Sequence, residues 1–392
     1  MAQENNDELS VMRKKIKKRK THRRNMWIAV GVAAAAAATI TAIVLATRTY
    51  SSYQLLSSVE REDEPGAGYI PYKNGYIRYS KSGVEYVDAG GTKEWNVSDS
   101  MNSPVHRQRG DKVVLADLKG NCFSVYDETG QLGFVKTGYT ILQADPTLTG
   151  SVAVLLQDES DSFINLYDKD GSLIYSVKTA IEGDGAPLDI AVNDSGSRLA
   201  VSYVKSGDSG IESGIRFYDF GSSNTGDDKS VGDIKTSDGA LTGDVCFFGN
   251  DTVAAVSEDA LRFYSFGKEP EQTGEYIITD DVNTQIIKTF ESDDRLGIVT
   301  HTEGDHEPDR IFIFNSSGGK VSETELEESY DDFSFSGENV IMTAGNRFAL
   351  MKNGGRFVTK QINDTPVLAL LSNGGSDYYL IDANYIRKVR LK

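Results

Sequence analysis

From residue 66 onward one pattern recurs along the chain. It consists of a short strand, a turn bearing Gly, Asn or Asp, a second apolar strand, and a third strand that closes on an aromatic residue, an acid and a glycine turn. The closings read Tyr86-Val87-Asp88-Ala89-Gly90, Tyr126-Asp127-Glu128-Thr129-Gly130, Tyr167-Asp168-Lys169-Asp170-Gly171, Tyr218-Asp219-Phe220-Gly221, Tyr264-Ser265-Phe266-Gly267 and Phe314-Asn315-Ser316-Ser317-Gly318, with a decayed copy at Met351-Lys352-Asn353-Gly354. Their spacing, roughly 37 to 51 residues, is the period of a four-stranded propeller blade. The second strands are continuous apolar runs, such as Val113-Val114-Leu115, Val152 to Leu156, Leu199 to Tyr203, Val253 to Val256 and Leu296 to Val299. A strand apolar on both faces must be covered on both, as when blades stack on one another.

First strands are expected near Tyr69, Pro104, Ile141, Pro187, Asp244, Gln285, Asp332 and Pro366, which gives eight units. The eighth, Pro366 to Lys392, has room for only three strands. A ring must tie its last blade to its first, because an open edge invites pairing with other chains. The segment Tyr53 to Val59 stands where the missing outer strand would enter, and is expected to supply it. The fold class is therefore all-β: an eight-bladed β-propeller, with a seven-bladed ring as the alternative, preceded by one N-terminal transmembrane α-helix. The 38 glycines, 19 tyrosines and 16 phenylalanines suit short strands joined by tight turns.

That helix is read from residues 25 to 47, where no residue is charged, a length able to cross about 30 Å of hydrocarbon. Nine of the 41 Lys and Arg lie between Arg13 and Arg24, against Arg48 alone just beyond the run. The excess of positive charge on the inner side then places residues 1–24 in the cytoplasm as a basic tail. The expected division is tail 1–24, helix 25–47, a juxtamembrane segment 48–66 that supplies the closing strand, and an extracytoplasmic propeller 67–392. A signal peptide cleaved near Ala46 is the rival reading, but its apolar core would be only about 7 to 15 residues long. Arg23-Arg24 suits a twin-arginine signal poorly, given the Asn25-Met26-Trp27 that follows.

Because the basic residues are concentrated in the tail, the remainder is more acidic than the overall net charge of −17 indicates. Such a domain repels phosphates, which argues against nucleic acid and for cationic partners or divalent ions. Cys122 and Cys246 fall in different units and read as buried thiols rather than a disulfide framework.

The turn Asp88-Ala89-Gly90-Gly91-Thr92-Lys93-Glu94-Trp95 resembles the docking motif of quinoprotein-like propellers, among them the eight-bladed scaffold lipoproteins of bacterial outer membranes. It is the one copy with Trp; later copies carry Phe134 or Tyr175 nearby. The layout of basic tail, Ala-rich anchor and divergent propeller resembles an uncharacterised family of membrane-anchored propeller proteins of clostridial Firmicutes. Neither resemblance implies an activity.

No nucleophile elbow, phosphate loop or zinc-protease helix occurs. Histidine is limited to His22, His106, His301 and His306. No cofactor is called for. The densest chemistry is His301 to Asp309, where His301, Glu303, Asp305 and His306 are candidate ligands for a divalent cation. Asp168-Lys169-Asp170-Gly171 has the opening of a calcium loop but lacks its downstream acid, and reads as a turn. The enlarged connections between second and third strands carry Asp158, Glu159, Asp161, Asp208, Glu212, Glu303, Asp305, Glu307 and Asp309. These connections share one face of a propeller, so the residues are expected to form an acidic rim, either a surface that steers a basic partner toward it or simply solubilising loops. The reading that follows is a non-enzymatic binding or scaffold module, held in the cell membrane, that recruits an envelope or membrane protein. A sensor acting through the helix is the alternative. A glycan-active enzyme is another, and would need two channel carboxylates about 5 to 9.5 Å apart.

Overall fold

The computed structural model describes residues 25–37, 39, 47–207, 210–221, 229–236, 240–279, 283–304 and 307–392. The chain divides into two compact units, Met1–Tyr50 and Ser51–Lys392. In the first, residues 25–37, 39 and 47 are helical. Among the described residues no helix is long and apolar enough to cross a membrane. The expected tail, 1–24, and residues 38 and 40–46 of the expected anchor lie outside the described residues.

The second unit comprises eight four-stranded antiparallel sheets. Blades one to seven are each four consecutive strands, covering 68–98, 104–136, 140–180, 186–235, 242–277, 284–326 and 332–362. The expected starts of the first strands fall within two residues of those observed. Blade eight takes three strands from the C-terminus, Val367–Ser372, Asp377–Asp382 and Tyr385–Leu391, and its outermost from the start of the unit, Tyr53–Glu60. The two chain ends pair from Tyr53↔Leu391 to Glu60↔Tyr385. The ring therefore has eight blades rather than seven, and is closed by the segment the edge argument selects.

The continuous apolar runs are explained by where the cores sit, since each cluster straddles two neighbouring blades. Val114, Phe123 and Val125 of blade two pack with Val152, Val154 and Leu156 of blade three. Leu261 and Phe263 of blade five pack with Ile298 and Phe314 of blade six. Each such side chain, buried on folding, stabilises by about 1.5–3 kcal/mol, and here does so only if the next blade is present.

The Asp88 to Trp95 turn forms such a joint. The Asp88 carboxylate accepts the Gly90 and Thr92 amides at 2.8 and 2.7 Å, and Gly91 takes φ +88°, which favours glycine. Trp95 then stacks on Tyr126 of blade two at 5.7 Å and 9°, and its Nε1 donates to the Glu128 carbonyl at 3.1 Å. Asp168 to Gly171 forms the same kind of turn, with Gly171 N donating to Asp168 O at 2.9 Å and Gly171 at φ +90°.

Alternating strand direction gives the ring two faces. The upper face collects the second-to-third connections and the links between blades; the lower face collects the first-to-second and third-to-fourth connections. On the lower face, the blade-three turn bonds to blade four (Leu148 N to Asp194 O, 3.2 Å), and blade four to blade five (Asp194 N to Gly249 O, 3.0 Å). The chain enters on this lower face, where Ser51 and Ser52 donate to Lys392 O at 3.1 Å.

Candidate functional site

Two surfaces present chemistry: the central channel and the upper face. The channel is walled by the first strand of each blade. In blades three, four, five, six and eight this strand carries an irregularity at the same place, between Ile141 and Gln143, Pro187 and Asp189, Thr242 and Asp244, Ile286 and Lys288, and Val367 and Ala369. A bulge bends its strand and re-aims the residue beside it. In four of the five that residue is polar, and each reaches the next blade. Gln143 donates to Ile190 O at 2.9 Å and accepts Ile190 N at 3.0 Å. Asp189 accepts Val245 N at 2.8 Å. Asp244 accepts the Thr289 hydroxyl at 2.5 Å. Lys288 lies 3.3 Å from Asp332. Asp145, two residues on from Gln143, accepts Val192 N at 2.8 Å. A backbone amide that a first strand would otherwise leave unpaired is thus satisfied by a neighbour's side chain.

Blade two behaves differently and spans the channel. Arg107 Nη1 donates to Glu291 Oε1 of the opposite blade six at 2.6 Å, and the Gly110 amide to Asp293 at 3.2 Å. Arg109, 7% exposed, donates to the Phe247 carbonyl at 3.3 Å and to Asp194 at 3.1 Å, and lies 3.9 Å from Asp145. These bonds brace the ring across its centre and leave a cavity of about 880 Å³, bordered by Pro71, His106, Lys288, Asp332, Phe335 and Ser372 among others.

The Arg107 and Glu291 side chains are 40% and 31% exposed, toward the channel. Burial raises the Glu291 carboxyl above the ordinary range, opposed by Arg107. Asp189 is raised to about 7, chiefly by burial, with Arg107 acting against the rise. Burial would lower the Arg107 guanidinium, but Glu291, Asp145, Asp189 and Asp244 more than reverse this and raise it. His106, 3.1 Å from the Tyr79 hydroxyl, is lowered to about 4 by burial and then by Arg107. At neutral pH its imidazole is therefore uncharged.

Sequence reasoning singled out none of these channel groups except by counting His106 among the histidines. The available signal was a polar residue near the middle of the first strand in four successive blades: Gln143, Asp189, Asp244, Lys288.

The rim residues fall as follows. Asp158 and Glu159 are exposed in the second-to-third connection of blade three; Glu303 and Glu307 are exposed in that of blade six. Asp161 and Glu212 are committed to neighbours, at 2.8 Å from Lys178 and 2.8 Å from Lys235. Asp309 is 5% exposed rather than on the rim, because it opens the third strand of blade six on its inward side. Its carboxylate meets His301 Nδ1 at 2.7 Å, which leaves Nε2 as the outward nitrogen. Asp208, Asp305 and His306 lie outside the described residues. Among the described residues no group of three or more His, Cys, Asp or Glu is placed to hold a metal ion.

Cys122 and Cys246 are free and buried. Cys246 adjoins the channel cavity, and burial raises its thiol well above the ordinary value.

In overall course the chain is similar to BamB from Moraxella catarrhalis, at 13% identity and a TM-score of 0.49, covering 87% of this chain and 100% of that one. It is also similar to Hsv2 of Kluyveromyces lactis, at 11% identity and a TM-score of 0.49, covering 80% and 98%. No curated protein matches. A family model matches residues 46–391, almost the entire second unit, and the chain accordingly belongs to the family of unknown function DUF5711.

Proposed function

We propose that this chain is a non-catalytic binding module of the cell envelope, anchored by the apolar segment at 25–47 with residues 1–24 in the cytoplasm. Its ring recruits another envelope or membrane protein through the upper face. The observation that carries this reading is the charge of that face. Its connections present Asp158, Glu159, Glu182, Glu258, Glu303, Glu307, Asp331 and Asp364, whereas their described bases are Arg61, Lys81 and Lys119. Arg61 is already held by Asp63 at 2.6 Å. A field of one sign steers an oppositely charged partner and makes its association sensitive to salt. The channel carboxylates, by contrast, are engaged in joining blades, which suits a rigid platform better than acid–base turnover.

The test is site-specific photocrosslinking in intact cells, with a benzophenone amino acid at Glu159 or Glu307 on the upper face and at Lys268 or Ser317 on the lower. A protein crosslinked from the upper positions only, and lost at high salt, supports the reading. A partner crosslinked only from the lower positions overturns it.

A further inference from the structure

The second and third strands of blade four, Arg198–Gly207 and Gly210–Asp219, are ten residues each, longer than any other pair in the ring. The first strand of the blade pairs only as far as Ala186↔Val204, and the fourth only as far as Gly214↔Lys235. Beyond those points Lys205–Gly207 and Gly210–Glu212 pair solely with each other, Lys205↔Glu212 and Ser206↔Ile211. A two-stranded ribbon therefore stands clear of its sheet on the upper face.

Side chains alternate across a ribbon, so Val204, Ser206 and Ile211 share one of its faces while Lys205 and Glu212 share the other. On the second face Glu212 meets Lys235 at 2.8 Å, and Lys205, whose Nζ lies 5.7 Å from the centre of the Tyr203 ring, also borders the hollow beside the ribbon. The first face looks across a hollow of about 620 Å³ at Ile181, Glu182, Glu159 and Ser160. Ile211 is 63% exposed there. Burying an aliphatic side chain of this kind removes apolar surface from water, which favours association, and interfaces place such side chains at an apolar core inside a polar rim. Glu159 and Glu182 provide the rim, and no described base forms an ion pair with either.

We propose that this hollow is a docking groove for a cationic amphipathic segment of another protein, an aliphatic side chain seated between Ile181, Val204 and Ile211 and flanking Lys or Arg meeting Glu159 and Glu182. This rests on the binding-module reading above and specifies the partner's chemistry at blades three and four. The occupant follows from charge: Glu159 and Glu182 outnumber Lys205, the one base bordering the hollow among the described residues, so an acidic segment meets net repulsion and a purely apolar one leaves the carboxylates facing its surface without a partner.

The experiment uses the full-length protein in nanodiscs and a fluorescein-labelled twelve-residue peptide of alternating leucine and lysine, read by anisotropy. Two control peptides replace every leucine by serine or every lysine by glutamate. The expected result is that Ile211→Ser weakens binding about tenfold and that Glu159→Gln/Glu182→Gln weakens it several-fold and flattens its salt dependence. Ile362→Ser, on blade seven and 73% exposed in the native chain, leaves it unchanged. Neither control peptide binds comparably.

Binding that survives Ile211→Ser, or is equalled by the serine peptide, overturns the proposal, because charge alone is then at work. So does loss of self-association as the sole effect of Ile211→Ser, which would make a second copy the occupant. Should these variants have no effect while crosslinking from Glu307 still finds an upper-face partner, the groove falls and the binding-module reading stands.

Discussion

Asp189→Asn tests whether the channel joints hold the blades in the manner described. The Asp189 carboxyl is 8% exposed and accepts Val245 N; burial lifts it from 3.8 to about 7. Between those two values the folded chain holds a proton that the unfolded chain has released. Stability therefore falls as pH rises from about 4 to about 7, and above that the full cost of a buried charge is present. A shift of about 3 units at 1.36 kcal/mol each sets an upper bound of about 4 kcal/mol. Arg107 is already counted in that value; screening by solvent in the channel reduces the bound, and about 2–4 kcal/mol is expected. Asparagine keeps a carbonyl for the Val245 amide and has no charge to desolvate, so D189N should be more stable than the native chain at pH 8. With an unfolding entropy of about 2.1 cal/mol/K per residue over roughly 340 residues, the gain corresponds to about 3–6 °C in Tm. Differential scanning fluorimetry of both proteins from pH 4.5 to 8.5 should show the curves nearly meeting at the acid end, diverging up to about pH 7 and running parallel above. A pH-independent difference, or a less stable D189N at pH 8, would mean that Asp189 is ionised and valued as a partner of Arg107, and would refute the reasoning.

Three further outcomes are expected. Trp95→Ala removes the half-buried indole stacked on Tyr126 and its bond to the Glu128 carbonyl; chemical denaturation should record a loss of about 2–3 kcal/mol, whereas Trp95→Phe, which keeps a ring, should recover part of it. Deleting residues 53–60 uncovers the edge of Tyr385–Leu391, and light scattering should then find more concentration-dependent association than the native chain shows. Because Cys122 and Cys246 are buried, a cysteine placed at exposed Ser317 gives a clean topology probe. Labelling of intact cells by a membrane-impermeant maleimide is expected, and labelling only after lysis would place the ring in the cytoplasm.

The ring was legible because its requirements are periodic. Apolar second strands such as Val152 to Leu156 must be covered on both faces, turns such as Asp88 to Gly91 need an acid and a glycine at fixed offsets, and a three-stranded last blade demands a fourth strand from elsewhere. Each constraint is local, or concerns a count, and survives without knowledge of which blade lies beside which. Asp309 shows where this reasoning stops: in the sequence it is one more acid in an acidic stretch, and only its position at the opening of a strand, facing inward onto His301, removes it from the rim.

The channel was obscure for the opposite reason. Arg107 and Glu291 come from blades two and six, 184 residues apart, and nothing local to either says that they meet, because the geometry that joins them is ring closure itself. The first strands mix polar and apolar residues, so Gln143, Asp189, Asp244 and Lys288 do not stand out when read one blade at a time. Aligned by blade they occupy one structural position and serve the next blade in the same manner, though by different chemistry: amide, carboxylate, carboxylate, ammonium. The fold demands a reach and a bond at that position, not a particular side chain. The repeated apolar runs and the varied channel therefore express one constraint, that each blade be completed by its neighbour. Substitution is free to alter the channel's charges as long as each joint is kept, which leaves exposed upper-face side chains such as Glu159, Glu303 and Glu307, rather than the joints themselves, as the part of this ring where partner specificity can be written.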